Sequence, residues 1–175
     1  LEQLAPLESI LFLDIETTGL SASGSQLYLI GCAFYREDNW QIKQWFAQSP
    51  EEEPELIKAF FSFAEEFSYL IHYNGNTFDL PYLKQKIRQY ELPYSFDDFD
   101  GIDIYRRITP YKNFLKLPNC KLKTIENYLG IEREDTYTGG ELINVYNDYL
   151  SSHDFSLYHL LLLHNSDDMK GMLEI

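Results

Sequence analysis

Two carboxylates, Asp14 and Glu16, close an apolar run that begins at Ser9. In an extended segment, residues two apart point to the same face, so both acids project from one side of a strand. Burying two like charges together is costly unless a donor or a cation compensates them, and a divalent metal is the usual remedy. The plainer alternative is that Asp14 caps a turn while Glu16 points to solvent. A third acid, Asp79, follows a second apolar run that ends at Asn74-Gly75-Asn76. It opens a helix, where the helix dipole alone favours a carboxylate. It also lies at the carboxyl end of a strand, where ligand sites of open α/β sheets gather. His164 and Asp168 are four residues apart on a predicted helix and share a face. Asp167 points about 100° away from them. Jointly, hard carboxylates from two strand ends and a C-terminal helix are what a site for Mg²⁺ or Mn²⁺ requires. Two such ions about 3.5–4 Å apart activate water and stabilise the leaving oxygen of a phosphodiester.

Positioning those groups falls to a short series of elements. Residues 9–15, 26–36 and 39–46 are rich in strand formers, and Arg36-Glu37-Asp38-Asn39 has hairpin-turn chemistry. They predict an antiparallel meander. Pro50 and Pro54 open a helix that carries Leu56, Ile57, Phe60, Phe61, Ala64 and Phe67 at helical spacing. A fourth strand over 69–73, a helix over 78–89 and a short strand over 101–105 follow. Residues 113–120 read as a loop. Helices are predicted over 122–129, stopped by Gly130, and over 141–150 and 156–172. This order implies a mixed sheet in a single α/β domain over residues 1–175. No repeat, low-complexity tract or linker interrupts it.

Composition narrows the function classes. The 175 residues are 45% hydrophobic and 24% charged, which excludes a disordered or collagen-like chain. No apolar run approaches the roughly 18 residues needed to span a bilayer, so no membrane partner is expected. No leader pattern opens the chain, and its first residue is Leu, as in a processed or excised piece. Cys32 and Cys120 are too few for a disulfide framework or a cysteine zinc site, and Cys32 sits in an apolar run. A reducing cytoplasm is the expected compartment. His72, His153 and His159 have no partner in the sequence that suggests a metal site.

A net charge of −14 speaks against nucleic acid at first sight. The charge is segregated, however. Residues 84–123 hold nine basic and five acidic side chains, a balance of +4, while the remainder stands at −18. Ordinary solvated faces are the plain account, and a phosphate-guiding surface the functional one.

Asp14-Ile15-Glu16-Thr17-Thr18-Gly19 resembles the first motif of the DEDD 3′–5′ exonucleases, which have a ribonuclease H-like fold. Asn74 with Phe78-Asp79-Leu80-Pro81-Tyr82-Leu83 is similar to their second motif, as in the proofreading domains of family B polymerases. His164-Asn165-Ser166-Asp167-Asp168 resembles the third. Further segments, Asp103 to Arg107, Cys120 to Glu126, Gly130 to Arg133 and Gly139-Gly140-Glu141, look like the YprB-like branch of predicted exonucleases. The resemblance implies a ribonuclease H-like mixed five-stranded sheet, a three-stranded antiparallel meander plus two parallel strands, flanked by helices. It implies a metal-dependent 3′–5′ exonuclease acting on DNA or RNA with two Mg²⁺ or Mn²⁺ ions. Asp14, bridging the ions, and Glu16, Asp79 and Asp168 would be the metal ligands. Thr17, Thr18, Asn74 and Phe78 would bind the terminal nucleotide. One subtype of the family has Tyr four residues before the last Asp, and the other has His five before it. Here His164 stands at the Tyr spacing and Leu163 at the other. His164 is therefore either the water-activating base or a residue that orients the site. The partner would be the 3′ end of a single strand, with a helicase or other domain as a further possibility. The alternative is a nuclease-like module that binds nucleic acid or protein without cutting.

Overall fold

A computed structural model describes residues 5–175, so the first four residues of the expected domain lie outside the described part. Strands β1 (Ile10–Thr17), β2 (Leu27–Arg36) and β3 (Asn39–Phe46) form the antiparallel meander. Glu37 and Asp38 take the left-handed backbone conformation that a two-residue hairpin turn demands. Helix α1 (Glu53–Ala64) leads to β4 (Tyr69–His72), and α2 (Asp79–Gln89) leads to β5 (Asp100–Asp103). Both late strands run parallel to β1, giving the sheet order β3-β2-β1-β4-β5. The expected α/β mixed five-stranded sheet is the observed one.

The fifth strand is shorter than the sequence predicts. Ile104 and Tyr105 belong to a helix, α3 (Ile104–Ile108), because the Asp103 carboxylate accepts the Arg106 backbone N–H and ends the strand as a helix cap. Helix α4 (Leu122–Leu129) stops at Gly130, whose φ of +75° supplies the left-handed cap. Helix α5 (Gly139–Ser152) starts with a capping box between Thr138 and Glu141, and α6 (Phe155–Glu174) with Asp154 as its cap. No helix among the described residues is long and apolar enough to cross a membrane.

Strand alternation decides which side of the sheet carries chemistry. Leu11, Leu13 and Ile15 of β1 pack with Ile57, Phe60 and Leu83 of α1 and α2. Ile10 and Phe12 face the other way, against Met169 and Met172 of α6. Asp14 and Glu16 continue that second row, so the acids rise from the sheet directly towards α6.

Candidate active site

Asp14 of β1 stands opposite Gly31 of β2, which in turn stands opposite Gln44 of β3. A Cβ at position 31 would lie 1.9 Å from Asn165 Oδ1, so only glycine lets α6 lower Asn165 onto the sheet. There the Asn165 amide donates to Asp14 Oδ2 at 2.8 Å. The Gln44 amide donates to Asn165 Oδ1 at 2.9 Å and fixes which end of that amide faces Asp14. One row across three strands thus aims a single carboxylate. Beyond it, the pairing of β1 with β2 slips between Glu16 and Thr17, a bulge of the kind that re-aims side chains beside a site.

Helix α6 brings His164 and Asp168 over the same spot. Ligand atoms of Glu16, His164 and Asp168 lie within 4.8 Å of one another. His164 Nε2 is 3.8 Å from Glu16 Oε1 and 3.9 Å from Asp168 Oδ2. Asp79 joins from the first turn of α2, where its Oδ1 accepts the Ile15 backbone N–H at 3.2 Å. That contact locks α2 to the end of β1. Burial pushes the carboxyl of Asp14 well above the usual range, and the negative charges of Asp168, Glu16 and Asp79 add to it. Glu16 is raised by burial and then by Asp168, Asp79 and Asp135, with Arg133 opposing. Asp79 is pushed up to about 7, chiefly by burial. Desolvated acids that repel in this way fit a divalent cation, and oxygen donors with one imidazole suit a hard metal.

A loop that sequence reasoning did not single out supports these groups from behind. The backbone N–H groups of Glu134 and Asp135 both donate to Asp167 Oδ2 at 2.9 Å, docking residues 133–135 onto α6. Asp167 therefore faces this loop, away from the other acids. From the loop, Asp135 Oδ2 meets His164 Nδ1 at 2.6 Å. Burial alone would raise Asp135, but the Tyr137 N–H, His164 and Lys123 outweigh it and keep the carboxylate charged. A charged Asp135 only accepts, so Nδ1 carries the proton and Nε2 faces Glu16 and Asp168. Arg133 donates to Asp168 Oδ1 at 2.6 Å and is itself held by Glu126 at 2.9 Å. Glu126 fits there because position 171 is glycine: a Cβ would come within 1.9 Å of its Oε1. Arg133, Glu126 and Asn165 stand in segments that carry the family resemblance but have no role assigned to them there, and Asp135 and Gln44 are not singled out by the sequence at all. Their only signal is proximity in space.

Beside Glu16 lies a cleft of about 410 Å³, lined among others by Thr17, Leu20, Phe78, Gly139 and Ile143. Two of the four expected nucleotide-binding residues, Thr17 and Phe78, line it. The other two are not brought there. The Thr18 hydroxyl accepts the Gln26 N–H at 2.9 Å, and Asn74 takes a positive φ with its N–H donated to Asp103. Both shape loops. His72 is fully buried with Nδ1 accepting the Gly75 N–H at 3.1 Å, a role in turn geometry. Cys32 is a core residue.

Comparisons with known proteins agree with this architecture. The uncharacterized protein YprB of Bacillus subtilis is 30% identical over 174 residues, covering 95% of this chain and 41% of that protein. The DNA polymerase of Bombyx mori nuclear polyhedrosis virus is 26% identical over 125 residues, which cover 55% of this chain and 13% of the polymerase. The chain thus spans less than half the length of the curated relatives it matches. Among solved structures, the family B DNA polymerase of Pyrobaculum calidifontis superposes with a TM-score of 0.77 at 19% identity, over 97% of this chain and 24% of that one. E. coli ExoI, in a zinc-bound complex with single-stranded DNA, superposes with a TM-score of 0.57 at 14% identity, over 89% of this chain and 43% of that one. A family model of the RNase H superfamily matches residues 11–175. On that match and on its fold, this chain belongs to the RNase H superfamily.

Proposed function

We propose that the chain is a metal-dependent nuclease, a single domain that removes nucleotides from the 3′ end of a DNA or RNA strand. The observation that carries this reading is the convergence of Asp14, Glu16, Asp79, Asp168 and His164 beside an open, largely apolar cleft. The four acids would hold two Mg²⁺ or Mn²⁺ ions, which when bound supply Lewis-acid activation of water and neutralise charge on the departing oxygen. His164, whose Nδ1 is held by Asp135 so that Nε2 faces the acids, would take the proton of the attacking water. Phe78 offers a ring face to the terminal base, and Thr17 a hydroxyl at the cleft wall. Arg133 holds one oxygen of Asp168 so that the other stays turned towards the metal position. The 3′ direction draws support from the resemblance of the three motifs to those of the 3′–5′ exonucleases. Buried, unpaired Cys32 and Cys120 suit a reducing cytoplasm.

One contact favours a second reading. Arg133 already neutralises Asp168 from within, as it would in a nuclease-like module that binds without cutting.

Digestion of 5′-labelled single-stranded DNA and RNA with Mn²⁺ or Mg²⁺, beside Asp14→Asn, separates the readings. A ladder shortening from the 3′ end, absent in the variant and on circular substrates, is the expected result. Cleavage of circles would mean an endonuclease on the same fold. Tight binding without cleavage would mean the non-cutting module.

A further inference from the structure

Between Asp103, which ends β5, and Glu126 in α4, the chain carries no acidic residue and six basic ones: Arg106, Arg107, Lys112, Lys116, Lys121 and Lys123. Lys123 is engaged by Asp135 at 3.3 Å. Arg106 lies 3.8 Å from Asp103 while its own side chain is 64% exposed. The remaining four have no carboxylate within 4.0 Å among the described residues. By contrast Lys86, also in the basic stretch of the sequence, is buried against Glu53 and cannot meet a ligand.

Two aromatic rings sit among these cations. Tyr111 is 60% and Phe114 83% exposed, three residues apart in a helical turn closed by the Leu115 N–H on Tyr111 O. The turn is fastened at both ends. Asp103 accepts the Asn74 and Arg106 N–H groups on one side. On the other, Leu117 and Cys120 are buried, and Tyr73 Oη donates to Cys120 O at 2.6 Å. The rings are therefore presented by a braced segment, where leaving them in water has no folding benefit.

Its place in the fold gives the partner. Leu13 of β1, His72 of β4 and Asp103 of β5 stand in one register across three parallel strands. The segment thus leaves the sheet at the same end as Asp14 and Glu16, about 10 Å to the side at ordinary strand spacing. The rest of the chain is acidic on balance, exposed Lys84 and Arg88 on α2 notwithstanding, and repels a polyanion. Unpaired cations interleaved with exposed rings attract one, and do so without reading sequence.

We infer that residues 104–121 are a docking surface for a single nucleic-acid strand, with Arg107, Lys112, Lys116 and Lys121 on its phosphates and Tyr111 and Phe114 stacked on its bases. This rests on the nuclease reading and extends it to the part of the strand that lies outside the cleft.

Fluorescence anisotropy of 5′-labelled oligothymidylate and oligouridylate, in EDTA so that nothing is cut, tests the surface apart from the chemistry. Replacing Arg107, Lys112, Lys116 and Lys121 together by Ala weakens binding tenfold or more at low salt. It also flattens the slope of log affinity against log salt by about 3, four contacts at about 0.7 each. Tyr111→Ala with Phe114→Ala weakens binding about thirtyfold or more with the slope unchanged, because stacking releases no counterions. The ratio of kcat/KM on the oligonucleotide to that on p-nitrophenyl thymidine 5′-monophosphate falls in both variants, since the small ester cannot span the gap. Wild-type affinity and salt slope in both variants would overturn the surface even if hydrolysis is intact. Absence of binding by the wild type would also overturn it and assign the patch to a protein partner. Surface-dependent binding without hydrolysis of either substrate would instead remove the nuclease reading and leave the docking surface standing.

Discussion

The two faces of the sheet both bury charge, and they treat it in opposite ways. On the α1/α2 side, Glu53 is 2% exposed and saturated: it accepts the Leu27 N–H at 2.6 Å, Lys86 Nζ at 2.9 Å and the Tyr90 hydroxyl. Lys86 in turn donates to Ser25 O at 2.7 Å. Every lone pair and proton has a partner, which is what a purely structural ion pair needs. On the α6 side, four carboxylates share one guanidinium, Arg133, one side-chain amide, Asn165, and the backbone N–H of Ile15. Their charge is left over. A fold that saturates a buried acid on one face and leaves four under-compensated on the other has the electrostatics that the proposed cation site requires.

The sharpest test of that contrast is to remove one charge from each face. Asp14→Asn keeps an acceptor for Asn165 but deletes one of the proposed metal ligands. Hydrolysis should fall by about 10³-fold or more, the several kcal/mol a metal supplies, in a 5′-label assay. The same variant should melt higher than the wild type in EDTA, because a repelling charge is gone. Glu53→Gln should do the reverse. It strands the Lys86 ammonium, a loss of about 3–5 kcal/mol, or about 10 °C in thermal unfolding. The turnover of the remaining folded protein should be unaltered. A loss of stability in both variants would erase the distinction between the faces.

These faces were not equally legible in the sequence. The α1/α2 face follows from periodicity: Leu56, Ile57, Phe60 and Phe61 repeat at helical spacing and meet Leu11, Leu13 and Ile15 at strand spacing. Asp14 and Glu16 were legible for the same reason, since alternation places them opposite that set. His164 and Asp168 share a helix face, and the structure brings them to within 3.9 Å. Asp135 and Arg133 left no such trace. They reach α6 across 29 and 35 residues of chain through a loop that has no period of its own. Asn165 was hidden by its setting as well, for only the missing side chain of Gly31 gives it access to Asp14. Ile104 and Tyr105 look like strand residues, and only the capping contact of Asp103 turns them into a helix. Local pattern reveals which residues could carry the chemistry, and long-range docking decides what holds them in place.

Acidity offers a milder way to separate the faces. Asp79 is pushed up to about 7, and Asp14 and Glu16 are held well above the ordinary range. Between about pH 4, the unfolded value, and pH 7 the folded chain therefore binds more protons than the unfolded one. Its stability in EDTA should fall as pH rises through that interval. Asp135 and Asp167 are held low, so their contribution is complete above pH 4 and leaves this trend untouched. Saturating Mn²⁺ should cancel the fall, since metal binds the deprotonated acids. At a hundredfold excess over Kd the gain is about 2.7 kcal/mol, or about 5–10 °C near neutral pH. Scanning calorimetry at several pH values, with EDTA and with Mn²⁺, checks both signs. Equal midpoints with and without metal at neutral pH would mean that the acids are not a cation site.

The smallest change with a defined consequence is one methyl group. Gly31→Ala puts a Cβ where Asn165 Oδ1 now sits, 1.9 Å away, so the amide has to leave. Gln44 then loses one of its two acceptors, keeping Leu162 O at 2.8 Å, and Asp14 loses its amide donor, while the apolar layers on either side keep their contacts. The stability cost is that of modest overpacking, about 1–3 kcal/mol. Because Asn165 orients Asp14 without touching the strand, the effect on hydrolysis should be about 10–100-fold, and should appear in kcat and metal affinity rather than in KM for the strand. Asn165→Ala removes the same hydrogen bond without the clash. If it reproduces the kinetic loss of Gly31→Ala, and not its loss of stability, the row from Gln44 through Asn165 aims Asp14. If it leaves kcat and metal affinity untouched, the row serves only to seat α6 on the sheet, and the acidic face owes its geometry to the Arg133 loop alone.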